Sequence, residues 1–254
     1  MTTQETPTAR RGRRAQPRRS FGAALLGFFG ELMITAGVLL GLFVVWQLWW
    51  TDVVAEAEQD RIVAGLDWET PPPAPADPAA DPEALKRRDA PPVMEEPEHG
   101  EVFGVISVPR WGPDYEVPIA QGTTRRDVLD VLGTGHYEGT AMPGEVGNFS
   151  VAGHRVTYGK PFNRVEELED GDAVIVRTED TWYVYKIERT QIVWPRQVEV
   201  IAPVPDEPGV EPTVPMMTLT TCHPMWSARE RFIVHAAFDY WMPVSDGTPE
   251  EMSA

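Results

Sequence analysis

The feature that most constrains this chain is an uncharged apolar segment near its N-terminus. Residues 32–50, LMITAGVLLGLFVVWQLWW, form a run of 19 residues without a charge. As an α-helix this segment would be about 28 Å long, close to the roughly 30 Å thickness of the hydrocarbon core of a bilayer. Trp46, Trp49 and Trp50 lie at one end, where indole rings favour the membrane interface. The pattern predicts a membrane-spanning helix.

A buried core helix and a cleaved signal peptide are the two other interpretations of this segment. The segment has no amphipathic face of the kind that packs a helix onto a core. A signal peptide has a shorter apolar region and a small-residue cleavage site, and no such site precedes Asp52. We therefore expect an uncleaved, single-pass signal anchor over residues 21–50.

Charge is distributed unevenly along the 254 residues, whose net charge is −17. Residues 1–20 carry six Arg and one Glu, whereas residues 52–100 carry 13 acidic and four basic side chains. By the positive-inside rule, the Arg-rich tail is expected in the cytoplasm and the chain after residue 50 outside the cell. The overall acidity argues against nucleic acid as a partner, because phosphate binding needs clustered Lys and Arg.

Composition divides the rest of the chain into a stalk, a linker and a folded domain. Residues 52–66 have a helical composition, and nine Pro fall between positions 71 and 97. A segment so rich in Pro, Ala and acids buries too little apolar surface to fold. Residues 51–100 are therefore expected to be a helical stalk and a disordered linker. A folded domain is expected at 101–245, followed by a C-terminal tail at 246–254.

Short runs rich in Val, Ile, Thr, Tyr and Phe dominate the folded domain, with turn residues between them. Residues 125–132, capped by Thr123 or Thr124, and residues 163–169 are short helix candidates. About seven strands with only short helices predict an all-β, closed or nearly closed barrel. The predicted strands are 102–108, 116–120, 148–154, 173–178, 181–193, 216–222 and 231–238.

The single cysteine, Cys222, ends one predicted strand and is the candidate nucleophile. Its neighbours Thr220, Thr221 and His223 are polar, unlike those of a buried structural cysteine. Arg231 begins the next predicted strand, so antiparallel pairing would place it beside the cysteine. An Arg in that place favours the thiolate and can donate hydrogen bonds to an oxyanion.

A thiol nucleophile needs a base, and the chain has five histidines. His99 lies in the predicted linker, and His235 lies four residues inside a predicted strand. The side chain of His223 would point away from that of the adjacent cysteine, because successive strand side chains diverge. From spacing alone, His154 at the end of a predicted strand and His136 both stay candidates.

Three elements in this order are similar to a known family. AGHR at 152–155, TLTTC at 218–222 and Arg231 together resemble the sortases, membrane-anchored cysteine transpeptidases of Gram-positive bacteria. The resemblance covers about residues 101–240 and the signal-anchor layout. The strings GHYEGTAMPGEVGNFSVAGHRVTYGKPF and TLTTCHPMWSARERFIVHA are most similar to class E, the housekeeping-type sortases of actinobacteria. Arg229 is a competing arginine, but the family pattern R-x-[IV]-V matches the residues that begin at Arg231.

The resemblance implies an eight-stranded sortase β-barrel. It implies that Cys222 attacks the Thr–Gly bond of a C-terminal LAxTG- or LPxTG-type sorting signal on surface proteins and forms a thioester. His154 would protonate the leaving amine, and Arg231 would hold substrate and stabilise the oxyanion. An amine of a peptidoglycan stem peptide would then resolve the thioester. No cofactor is expected.

Tyr158, Thr221 and Thr220 are the expected substrate-binding residues. By resemblance, Tyr158 matches a class E position associated with LAxTG signals, and Thr221 matches a position that lines the substrate groove. The acidic run at 166–172 lacks the spacing of an EF-hand loop and is expected to be a solvated turn, so no metal site is predicted.

Two other functions stay open at the level of sequence. A cysteine hydrolase would form the same acyl-enzyme without transferring it to an amine. A non-catalytic, membrane-tethered binding module would keep its full function after Cys222→Ala.

Overall fold

The structure is a computed structural model that describes residues 21–68, 71 and 82–253. It divides into two units, residues 1–47 and residues 48–254. The predicted cytoplasmic tail, 1–20, lies outside the described residues, as does most of the Pro-rich stretch between 69 and 81.

The described residues of the N-terminal unit form the first part of one long helix, α1, Phe21–Ala64. Within the described residues, this is the one helix that is long and apolar enough to cross a membrane. Its 44 residues correspond to about 66 Å, roughly twice the thickness of a hydrocarbon core. The helix therefore continues well beyond the apolar segment that ends at Trp50.

The second unit contains a closed β-barrel of eight strands in the order β1-β2-β3-β4-β7-β8-β6-β5, which confirms the predicted fold class. Most neighbours are antiparallel, but β2 pairs with β3 and β4 pairs with β7 in parallel. The strands are β1 Val102–Ser107, β2 Glu116–Gln121, β3 Thr134–His136, β4 Gly147–Gly153, β5 Ala173–Arg177, β6 Thr181–Val193, β7 Pro215–His223 and β8 Glu230–Pro243.

The strands form where β-branched and aromatic side chains can pack on both sides of a pleated sheet. Phe149, Leu219 and Val234, from three neighbouring strands, are buried in one large cluster inside the barrel. A second cluster around Trp182 and Tyr240 packs on the other face of the sheet. The central strands are therefore fixed from both sides and can hold residues at their ends in place.

The short strand β3 is absent from the sequence prediction. Its sequence, Thr-Gly-His, contains no run of β-branched residues that would indicate a strand. Gly135 lies so close to the backbone of Gly122 that an added Cβ would be 2.1 Å from that residue's carbonyl oxygen. The strand therefore exists because of a close backbone approach, which alternation of side chains does not reveal.

The predicted short helices are present as single turns. Residues Arg125–Leu129 form a π-helical turn that follows Thr124, whose hydroxyl bonds Asp127 rather than a backbone N–H group. The other short helices are 3₁₀ turns: Pro82–Leu85, Pro109–Trp111, Val165–Glu167, Val198–Ile201, Val244–Asp246 and Glu250–Ser253.

Residues 82–100 differ from the predicted disordered linker, because they lie along the barrel. The backbone of Arg87 exchanges two 2.9 Å hydrogen bonds with Trp241. The hydroxyl of Tyr183 donates to the carbonyl oxygen of Pro92 at 2.7 Å, and Met94 packs against the barrel core. Proline keeps a segment extended whether the segment is free in solvent or lies on the surface of a domain. The composition of residues 82–100 therefore does not show that they contact the barrel.

The predicted C-terminal tail is likewise in contact with the barrel. Met252 packs against the second core cluster, and the hydroxyl of Tyr240 donates to the carboxylate of Glu251 at 2.6 Å. The amino group of Lys86 also binds Glu250. These contacts make both flanks of the predicted domain part of the folded unit.

Candidate active site

Cys222 lies near the end of β7, where it is half-buried and makes no disulfide. The antiparallel ladder between β7 and β8 pairs it directly with Arg231, the second residue of β8. Residues paired across two strands carry side chains on the same face of the sheet. The predicted neighbourhood of thiol and guanidinium is therefore present.

His154 directly follows β4, which runs parallel to β7. The parallel register pairs Ala152 with Thr220, so two residues further along His154 is level with Cys222. The Thr221 hydroxyl on β7 donates to the carbonyl oxygen of Gly153 on β4 at 2.7 Å, and this hydrogen bond joins the ends of the two strands. The structure thus brings the cysteine, the histidine and the arginine to the ends of three consecutive strands in the barrel.

All three side chains line one open cleft of about 470 Å³. Polar side chains of β7 and apolar side chains from the surrounding loops form its walls. The lining residues are Thr123, Arg125, Leu129, Tyr137, Ala152, Gly153, His154, Arg155, Val156, Thr157, Thr220, Thr221, Cys222, Trp226, Ser227, Ala228 and Arg231. An open cleft lined by both backbone and side chains is the kind of surface that can bind a peptide.

The two arginines near the cysteine have different surroundings. Arg231 donates from Nη1 to the carbonyl oxygens of Ala228 and Glu230, both at 2.9 Å, and it lines the cleft. Among the described residues, no other N–H group of this guanidinium has a protein acceptor. Arg229 is exposed, pairs with the carboxylate of Glu230 and does not line the cleft. Of the two arginines, Arg231 is therefore the one that faces the cleft.

Asp130, which sequence reasoning missed, contacts His154. Its Oδ1 atom lies 2.6 Å from Nε2 of the imidazole, and both side chains are largely buried. A carboxylate in this position fixes the orientation of the ring. The aspartate is 24 residues earlier in the chain, within the predicted helix 125–132. The only sequence feature that points to Asp130 is an acidic residue in a predicted helix. The sequence alone does not tell whether such a side chain faces the end of the sheet or the solvent.

His136, the other candidate base, is a fully buried structural residue. Its Nδ1 atom lies 2.7 Å from Oε1 of Gln121, and its Nε2 atom lies 3.0 Å from the carbonyl oxygen of Ala141. Burial lowers the pKa of His136 below its usual range. The side chain does not line the cleft, so the structure separates it from Cys222.

The other three histidines also lie outside the cleft. Burial, together with the charge of Arg189, lowers the pKa of His235 to about 4, against an opposing effect of Asp206. His223 faces the carboxylate of Glu166 at 3.2 Å. Hydrogen bonds with Glu138 and Asp127 raise the pKa of His99.

The expected substrate-binding residues occupy two different places. Thr220 and Thr221 line the cleft, and the hydroxyl of Thr220 lies 2.9 Å from that of Tyr137. Tyr158 is not among the lining residues. Its ring packs on the imidazole of His154, with 5.1 Å between the ring centroids.

The acidic run at 166–172 forms ion pairs with arginines. Glu166 lies between Arg155 and His223, each of which directly follows a residue predicted to be catalytic. Glu167 pairs with Arg164, while Glu169 and Asp172 pair with Arg110. Among the described residues, no group of three or more His, Cys, Asp or Glu side chains is placed to hold a metal ion.

Comparison with known proteins gives a consistent result. Residues 106–239 match the family model for the sortase domain. The chain is similar to Sortase SrtE1 of Streptomyces coelicolor, with 37% identity over 98% of this chain and 68% of that protein. It is also similar to Sortase SrtE2 of the same organism, with 34% identity over 91% of this chain and 88% of that protein.

Solved structures agree with the sequence relatives. SrtA sortase from Actinomyces oris is 50% identical with a TM-score of 0.63, over 65% of this chain and 95% of that one. Sortase E from Streptomyces avermitilis is 41% identical with a TM-score of 0.56, over 61% of this chain and 99% of that one. From its sequence, its barrel and the residues at its strand ends, this chain belongs to the sortase family of cysteine transpeptidases, and within that family to class E.

Proposed function

We propose that this class E sortase is anchored in the cell membrane and attaches surface proteins to the cell wall. It cleaves the Thr–Gly bond of a C-terminal LAxTG- or LPxTG-type sorting signal and transfers the threonyl carbonyl to an amine of a peptidoglycan stem peptide. The observation that carries the proposal is the pairing of Cys222 with Arg231 at the end of a parallel strand pair that also presents His154.

The first half-reaction uses the thiolate of Cys222 and the imidazolium of His154. The sulfur attacks the carbonyl carbon of threonine, and the resulting oxyanion accepts hydrogen bonds from the guanidinium of Arg231. The bond to the glycine nitrogen then breaks, and that nitrogen takes the imidazolium proton. The products are a thioester on Cys222 and a released peptide with a free amino group.

The second half-reaction runs through the same groups in reverse. The acceptor amine attacks the thioester carbon, its proton passes to the neutral imidazole, and the carbon–sulfur bond breaks to regenerate the thiolate. Asp130 supports both steps, because its contact with Nε2 holds the imidazole in one orientation during proton transfer. Water in place of the amine would give hydrolysis.

Substrate contacts in the cleft are proposed for Thr220 and Thr221, which line it beside the nucleophile. Tyr158 is proposed to act on the signal through its contact with His154. The proposed orientation, with residues 1–20 in the cytoplasm and the barrel outside, rests on the six Arg before the apolar helix.

Intact-mass analysis of the full chain with LAxTG and LPxTG peptides tests the function. A thioester adduct is expected on the wild-type protein and none on Cys222→Ala. His154→Ala and Arg231→Ala are expected to lower kcat/KM by about 10² or more, since each removes proton transfer or oxyanion stabilisation. Arg229→Ala is the matched control, and we expect near wild-type activity.

The fate of the acyl group separates the proposal from its alternatives. With an added stem-peptide amine, the main product should be the amide rather than the free acid. Free acid as the sole product at every amine concentration would identify a hydrolase. Absence of any adduct, with full biological function of Cys222→Ala, would identify a binding module.

A further inference from the structure

The part of α1 that continues past the apolar segment contacts the loop that follows His154. Asp52, Ala55, Glu56 and Gln59 lie on one side of this helix at spacings of three and four residues. Ala55 and Gln59 are buried, although the helix around them is charged and largely exposed. Within the second structural unit, this side of the helix covers residues 158–160.

Gln59 makes the most enclosed of these contacts. Its side chain is 3% exposed, and its amide Nε2 donates to the carbonyl oxygen of Tyr158 at 3.1 Å. A Cβ added at Gly159 would lie 2.7 Å from Oε1 of Gln59, and one added at Gly133 would lie 3.3 Å from its Cδ. The two glycines leave the space that the glutamine fills. A buried amide without a partner is costly, so the hydrogen bond to the loop is part of what keeps the glutamine inside.

Opposite charges join the helix and the loop beside this glutamine. The Nζ atom of Lys160 lies 3.2 Å from Asp52 and 3.5 Å from Glu56. The two carboxylates are one helical turn apart, so the ammonium lies between them. The lysine and the glutamine together attach both ends of the tripeptide Tyr158-Gly159-Lys160 to the helix.

The attached tripeptide has an unusual backbone. Tyr158, Gly159 and Lys160 have φ values of 55°, 77° and 41°. Residues with a Cβ atom occupy this left-handed region at a cost in free energy, and such a conformation persists where surrounding contacts impose it. The hydrogen bond and the ion pairs with α1 are contacts that can impose this conformation on residues 158–160.

This backbone conformation sets the direction of one aromatic ring. The ring of Tyr158 lies on the imidazole of His154, with 5.1 Å between centroids and 34° between planes. The Nε2 atom of the same imidazole faces Asp130. The tyrosine and the aspartate together restrict how the imidazole can turn.

We propose that residues 52–59 of α1 are a positioning element of the active site, with Gln59 as its central residue. The contacts from the helix fix the backbone of residues 158–160, and this backbone sets the position of the Tyr158 ring. The ring in turn restricts the orientation of the His154 imidazole. This inference rests on the proposed function insofar as His154 is the acid and base of that reaction. The part of α1 that follows the apolar segment thereby belongs to the catalytic unit.

The test uses the full chain in detergent micelles. Gln59→Ala is compared with Glu58→Ala, whose carboxylate is exposed and pairs only with Arg61 of the same helix among the described residues. For Gln59→Ala we expect about a fivefold fall in kcat with KM within twofold, because proton transfer is affected while the cleft is unchanged. Glu58→Ala is expected to match the wild type.

A double-mutant cycle identifies the route of the effect. If Gln59 acts through Tyr158, then Gln59→Ala should add no further loss of kcat to Tyr158→Ala. Fully additive losses, or a loss confined to KM, would overturn the proposal. A charge exchange gives a second check: Lys160→Glu is expected to lower kcat, and addition of Asp52→Lys is expected to restore part of it.

Hydrogen–deuterium exchange gives a measurement that does not depend on the reaction. Amides of residues 155–162 are expected to exchange about fivefold faster in Gln59→Ala than in Glu58→Ala. Unchanged exchange would show that the helix does not hold the loop. If the wild type forms no adduct with sorting peptides but exchange responds, the function fails while the helix contact stands.

Discussion

At the scale of single residues, the contact with the most direct chemical effect is that between Asp130 and His154. Asp130→Asn keeps the shape of the side chain but removes the negative charge that lies beside Nε2 of the imidazole. We expect kcat/KM for sorting peptides to fall about tenfold or more. Steady-state kinetics against Asp127→Asn, an exposed carboxylate on the same turn, provide the comparison. Equal activity of the two variants would contradict the role given to Asp130.

A second prediction at this scale concerns His235, which does not line the cleft. Its Nδ1 atom lies 2.9 Å from the hydroxyl of Thr218, and its Nε2 atom accepts from the amide of Gln191. This network suits the neutral ring, in agreement with a pKa of about 4. Above pH 6.5 the ring is neutral in both folded and unfolded chains, and its contribution to stability is complete.

As the pH falls from 6.5 towards 4, the unfolded chain binds a proton at this ring and the folded chain does not. The folded state should therefore lose about 3 kcal/mol over this interval. Urea unfolding of the full chain at pH 7.5 and pH 5 measures most of the loss. His235→Gln should show a shallower dependence. The part that stays comes from other groups with shifted pKa values, among them His136, whose pKa is lowered in the same way. An unchanged slope in the variant would argue against this assignment.

At the scale of elements, the 3₁₀ turn Val165–Glu167 lies between the loop that follows β4 and the end of β7, and Glu166 makes an ion pair with each. Glu166 on this turn lies 3.1 Å from the guanidinium of Arg155 and 3.2 Å from the ring of His223. The arginine side chain is only 1% exposed, so it needs a counter-charge. Glu166→Gln is expected to lower the free energy of unfolding by about 2 kcal/mol.

Glu167→Gln on the same turn is the matched control, because its partner Arg164 lies at the surface. Its effect should stay below about 0.5 kcal/mol. Denaturant unfolding of both variants measures the difference. Equal small effects would mean that solvent can replace the carboxylate of Glu166.

Elements also show how far the sequence predicts this structure. The strands that carry Cys222 and Arg231 are recognisable because β-branched residues fill them, and their pairing follows from a short connection. β3 escapes prediction, since a close backbone approach at Gly135 leaves no side-chain pattern. The roles of Asp130 and Gln59 are not predicted for another reason. Each contacts a residue distant in sequence, and the local sequence pattern does not indicate which residue that is.

At the scale of the whole molecule, the orientation in the membrane is the main prediction. The six Arg before the apolar helix should keep residues 1–20 in the cytoplasm. Protease added to intact protoplasts should then remove the chain beyond about residue 60 and leave the N-terminal tail. Immunodetection of tags at the two termini measures this. A protected barrel would refute the signal-anchor interpretation.

The parallel pairing of β4 with β7 has a consequence for the order in which the molecule becomes reactive. The two strand ends joined by Thr221 and Gly153 are 68 residues apart in sequence. Contacts across such a distance form late, because the entropy of a long loop must be lost before they are made. Until then the thiol of Cys222 has no imidazole beside it. Acyl transfer therefore begins only when the barrel closes, so a newly made chain passes through synthesis and early folding as an inert molecule.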